Sequence, residues 1–150
     1  MKVFLNLTSS IFWVTIFFSS SIYAADHEVK MLNSGKDGTM VFEPGVLKVA
    51  VGDTVKFLPT DGGHNSVSSF TPEGATTWKG ELSKEVSVTI DKEGVYIYTC
   101  EPHSALSMFG VIQAGEAKNL DAAIKASKEI SANAVMSKDR LNNYVAGLKK

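Results

Sequence analysis

At 150 residues, 44% of them hydrophobic and with 15 Lys and Arg set against 16 Asp and Glu, the chain has the size and balance of one globular domain. A formal charge of -1 without a long basic run excludes nucleic acid as an expected partner. The composition fits neither a disordered nor a fibrous chain.

The first segment opens with Met1-Lys2, passes through an apolar stretch around Ile11, Phe12, Trp13, Val14, Ile16, Phe17 and Phe18, and ends in Ser21-Ile22-Tyr23-Ala24-Ala25. That order predicts a signal peptide over 1–24, cut after Ala24, leaving 25–150 as one exported domain. Polar Asn6, Thr8, Ser9, Ser10 and Thr15 interrupt the apolar run, which is shorter than the roughly 20 residues that span a bilayer. No stable membrane insertion is therefore expected after cleavage.

Residues 28–113 show short runs of alternating polarity punctuated by Gly, Pro and Asp, the pattern of a sandwich or barrel of antiparallel strands. Leu47, Val49 and Val51 alternate, Gly52-Asp53 marks a turn, and Val55 and Phe57 resume the alternation. Val86, Val88 and Ile90 repeat the device, Glu93-Gly94 breaks it, and residues 95–100 form another β-favouring run. Side chains on a strand point alternately to opposite faces, so Tyr96, Tyr98 and Cys100 share one, predicted to be buried. Gly94-Val95-Tyr96 resembles the tyrosine corner of Greek-key sandwiches. After Gly115 the spacing becomes helical. Asn119 is a candidate cap for a helix bearing Leu120, Ala123 and Ile124, and Ser137 for one bearing Leu141, Tyr144, Val145 and Leu148, with a short join around Asn133.

Cys100 is the only cysteine, so it forms no internal disulfide in an exported chain. Inert burial, an intermolecular disulfide, a nucleophile and a metal thiolate are the alternatives, and its neighbours separate them. Cys100-Glu101-Pro102-His103 runs on through Ser104-Ala105-Leu106-Ser107 to Met108, placing a thiolate, an imidazole and a thioether in one tight loop. His64 lies upstream in the turn-rich Asp61-Gly62-Gly63-His64-Asn65, which folding can bring to the same end. Taken singly, His64 reads as a turn residue, His103 as a strand-end residue and Met108 as core filler. Together they match the two-histidine, one-cysteine site with a weak axial methionine that supports blue-copper electron transfer. His27 has no companion ligand and is left out. Two rivals use the same residues: copper delivery by the four ligands, and thiol hydrolysis by Cys100 with His103 as base.

These residues resemble the cupredoxins and, within them, the pseudoazurins. The likeness is carried by residues 29–33, 35–44, 47–55 and 63–65, by the spacing from Cys100 to Met108, and by the two C-terminal helices. It implies a mainly β, eight-stranded Greek-key cupredoxin sandwich with two short C-terminal helices, and one type 1 copper held by His64, Cys100, His103 and Met108. It also implies a monomeric one-electron carrier in the periplasm, not an enzyme, serving copper nitrite reductase, another respiratory reductase or a cytochrome in denitrification. The resemblance further implies that the Asn65 amide donates to the Cys100 sulfur, that Pro102 cannot supply a second donor, and that Met40 packs on the downstream imidazole. Ser34, Gly62 and Thr99 stand where lysines are frequent in the family, leaving Lys36, Lys79 and Lys84 in a thinned basic ring. Ala105 and Leu106 make the surface beside His103 apolar.

Overall fold

The computed structural model describes residues 24–148, so all but the last residue of the predicted 1–24 signal segment lies outside the described residues. Eight strands follow in chain order: β1 (Asp26–Gly35), β2 (Gly38–Glu43), β3 (Val46–Val49), β4 (Thr54–Leu58), β5 (Val67–Phe70), β6 (Val86–Thr89), β7 (Gly94–Thr99) and β8 (Phe109–Ala114). They form two four-stranded sheets, ordered β2-β1-β4-β6 and β3-β8-β7-β5. Helices α1 (Leu120–Ser131) and α2 (Arg140–Ala146) complete the domain.

The strands predicted around Gly52-Asp53 form as expected, with Gly52 at the positive φ of 98° that the turn requires. They do not pair with each other. β3 joins β8 in one sheet and β4 joins β1 in the other, and both pairings are parallel, whereas the alternation pointed to antiparallel strands throughout. A chain that crosses between layers at each turn returns beside an earlier strand in the same direction, and side-chain alternation carries no information on strand direction.

Alternation does locate the core. Tyr96, Tyr98 and Cys100 point between the sheets, packing with Phe42, Phe57 and Trp78. The Tyr98 ring meets Phe42 and Phe57 edge-on at centroid distances of 4.7 and 4.9 Å. Val95 and Ile97, on the opposite face of β7, pack instead under the helices with Leu120, Ala123, Leu141 and Val145. β7 is thus buried on both faces, which accounts for its unbroken apolar run. The tyrosine corner forms: the Tyr96 hydroxyl donates to the Lys92 carbonyl at 2.7 Å and accepts from the Lys92 amide at 3.1 Å.

Asn119 occupies the cap position of α1 as predicted but makes no side-chain capping bond, and Ser137 is not the cap of α2. Asn119 precedes α1, but its side chain turns to the sheet, accepting from the Val95 amide at 2.7 Å and donating to the Val95 carbonyl at 3.0 Å. It ties the helix to β7. Ser137 lies short of α2, which starts after Asp139, and its hydroxyl accepts from Arg140 at 3.4 Å. At the opposite end of the barrel from the helix join, Asp53 gathers the start of the domain. Its carboxylate accepts from the amides of Ala25 and Ala50, each at 2.9 Å, and meets His27 Nε2 at 2.7 Å. Among the described residues no helix is long and apolar enough to cross a membrane.

Candidate metal centre

Cys100 follows the last residue of β7, and Phe109 opens β8, so the pairing of Thr99 with Phe109 closes the loop between them at its base. The Cys100 amide donates to the Met108 carbonyl at 3.0 Å. Within the loop, residues Glu101–Leu106 form a 3-10 segment with Pro102 in its first turn, where proline's missing N–H costs nothing. The His103 amide bonds the Cys100 carbonyl at 3.1 Å, and the Met108 amide bonds the His103 carbonyl at 3.2 Å. Ser107, in the left-handed region at φ 60°, turns the chain inward so that Met108 enters the core beside Cys100.

His64 lies between β4 and β5, where the Ser83 amide donates to its carbonyl at 2.7 Å and the Gly63 amide donates to the Ser83 hydroxyl at 2.8 Å. The Asn65 side chain joins the two loops. It accepts from the Glu101 amide at 2.9 Å and donates to the Glu101 carboxylate at 3.0 Å and the Gly80 carbonyl at 3.2 Å.

Three donor atoms converge. His64 Nδ1 and His103 Nδ1 lie 3.0 Å apart, and Cys100 Sγ is 3.4 Å from the second and 3.7 Å from the first. The point equidistant from all three lies about 2.0 Å from each, against metal–nitrogen and metal–thiolate bonds of about 2.0–2.3 Å. The triangle therefore fits a single ion. It is also the only cluster of this kind among the described residues. His64, Cys100 and Met108 have no exposed surface, whereas His103 is partly exposed. His27, paired with Asp53, is not part of the cluster.

Burial, and then the neighbouring His103, push the His64 imidazole below its usual range, so the ring is neutral and presents a lone pair. Burial pushes the Cys100 thiol up, opposed by hydrogen bonding from the backbone amides of Asn65 and His103.

Two supporting residues escaped sequence reasoning. Asn33 Oδ1 lies 3.0 Å from His64 Nε2, which assigns the proton to Nε2 and leaves Nδ1 free to bind. Arg140 reaches the far side of the ligand loop, bonding the Ser107 carbonyl at 2.8 Å. Among the lysines of the thinned ring, Lys79 is paired with Glu101 at 2.7 Å.

A two-layer sandwich with two imidazoles, a thiol and a thioether at one end has the architecture of a cupredoxin. The profile of copper binding proteins of the plastocyanin/azurin family matches residues 29–115. Pseudoazurin from Paracoccus pantotrophus is 41% identical over 104 residues, 67% of this chain and 72% of the relative. That from Methylorubrum extorquens is 45% identical over 104 residues, 67% of this chain and 70% of the relative. The crystal structure of native pseudoazurin from Hyphomicrobium denitrificans superposes with a TM-score of 0.74 at 42% identity, covering 83% of this chain and 99% of that one. The chain belongs to the plastocyanin/azurin family of copper-binding proteins and, within it, to the pseudoazurins.

Proposed function

We propose that this chain is a periplasmic one-electron carrier whose type 1 copper is held by His64, Cys100, His103 and Met108, and that it donates to copper nitrite reductase or another respiratory reductase. The observation that carries the reading is the donor triangle, closed on all sides except at His103. When bound, copper supplies the one-electron couple. The chain supplies the rest. The thiolate and thioether favour Cu(I), and the two imidazoles accept either oxidation state. Asn33 fixes the His64 ring, Asn65 locks the two ligand loops together, and the aromatic core excludes water, so the donors move little when the charge changes.

The partly exposed His103 edge is the route for the electron, and Pro102 and Ala105 beside it are exposed. With Lys79 neutralised by Glu101, docking relies more on this apolar rim than on charge steering, which chiefly sets association rate. No substrate is transformed, as befits a pseudoazurin.

The thiol-hydrolase reading gains one observation, the 3.4 Å approach of Cys100 Sγ to His103 Nδ1. It fails on access and acidity: Cys100 has no exposed surface and burial raises its thiol, the opposite of what a nucleophile needs. Adding Cu(II) to the exported domain should give an intense thiolate-to-copper visible band that vanishes on reduction and returns on oxidation. No such band from folded protein with Cys100 intact would overturn the proposal.

A further inference from the structure

Arg140 opens α2 with only 8% of its surface exposed, and none of the ion pairs among the described residues includes it. Its guanidinium is spent on oxygen atoms of three segments: the turn into β2 and the start of that strand, the ligand loop, and the join between the helices. Nη1 donates to the carbonyls of Met40 and Ser107, each at 2.8 Å, and Nη2 to the carbonyls of Thr39 at 3.1 Å and Asp37 at 3.2 Å and to the Ser137 hydroxyl at 3.4 Å. Such a planar fork is the arrangement that arginine makes and lysine does not.

The partners share a backbone property. Non-glycine residues at positive φ among the described residues are Met40 (48°), Ser83 (57°), Ser107 (60°) and Ser137 (44°), and Arg140 bonds all of these except Ser83. Left-handed non-glycine residues persist only where surrounding contacts over-determine them, and they gather at functional sites. Here one side chain supplies that determination for three of them. Ser107 is the turn from which Met108 enters the core, and Met40 packs against the core cluster that holds Cys100 and Met108.

We infer that Arg140 is a positioning residue for the metal centre, clamping the Met40 and Ser107 carbonyls to α2 and thereby fixing the turn that presents Met108. The inference rests on the type 1 reading above. It gives the C-terminal helices a task at the centre, since α2 delivers the clamp while Leu141 and Val145 merely anchor it in the core.

The test compares Arg140→Lys and Arg140→Met with Leu141→Ala, which loosens α2 without touching the clamp. In copper-loaded protein, both Arg140 variants should change the relative intensities of the thiolate-to-copper bands, which report how the thioether approaches, whereas Leu141→Ala should leave them as in wild type. In metal-free protein, amide exchange at Cys100 and Met108 should be about tenfold faster in Arg140→Lys than in Leu141→Ala at matched loss of Tm. If Arg140→Met does not fold, Arg140→Lys decides. Wild-type band ratios in Arg140→Lys, with exchange no faster than in Leu141→Ala, would reduce Arg140 to a helix staple and overturn the inference. A wild type that shows no band at all would instead refute the copper centre, so the two failures are distinguishable.

Discussion

Replacing Asn33 with Ala removes the acceptor of the His64 Nε2 proton while sparing the backbone, because the Asn33 amide still donates to the Asp61 carboxylate at 2.7 Å. The ring itself stays in place, held through its carbonyl by the Ser83 amide. A buried donor left without a partner costs about 1–3 kcal/mol, and the metal-free variant escapes this by moving the proton to Nδ1. There it meets His103 Nδ1 at 3.0 Å and occupies the lone pair that the metal requires. Loss of such an outer partner typically weakens metal binding by about 10–100-fold, or about 1.4–2.8 kcal/mol. Chelator competition with Zn(II), a redox-silent probe of the same donors, should show that loss for Asn33→Ala and near wild-type affinity for Asn33→Asp, which keeps an acceptor. Affinity of Asn33→Ala within about threefold of wild type, or equal weakening in both variants, would refute the tautomer argument.

Hydrogen bonds from Ala25, His27 and Ala50 hold the Asp53 carboxyl down at about 2, below the usual carboxylate range. The unfolded chain therefore binds the proton first as pH falls, so the stability that Asp53 contributes is complete above about pH 4 and is lost toward pH 2. Thermal melts of wild type and Asp53→Asn should converge across that window; a constant difference in Tm from pH 5 to pH 2 would contradict it. The Tyr98 hydroxyl is buried with no hydrogen-bond partner among the described residues. Tyr98→Phe should stabilise the domain by about 1 kcal/mol, read as a rise in Tm, and a fall would show that the hydroxyl is satisfied in solution.

The donor set was legible because three of its members sit in one nine-residue stretch, and because period-two alternation put Cys100 on the buried face with Tyr96 and Tyr98. The structure brings His64 to them as the turn signals predicted. Residues whose role depends on a distant partner were not legible. Asn33 and His64 are 31 positions apart, and Arg140 and Met40 are 100 apart; nothing local distinguishes either from an ordinary surface residue. Asn119 and Ser137 show the reverse error. Their types suit a helix cap, yet the Asn119 side chain bonds both backbone groups of Val95 on β7, and Ser137 lies two residues before the Asp139 cap position of α2. The parallel pairings of β1 with β4 and β3 with β8 are set by crossings between layers, which single-strand patterns do not encode.

The unequal exposure of the donors also bears on how a lone thiol would meet an oxidant. Cys100 lies at the floor of the site with no exposed surface, and only His103 reaches the outside. Another protein's thiol or a small disulfide must displace that ring before it can touch sulfur, so the folded chain resists cross-linking before any metal arrives. One imidazole thus shields the sulfur while forming the partly exposed edge of the cluster.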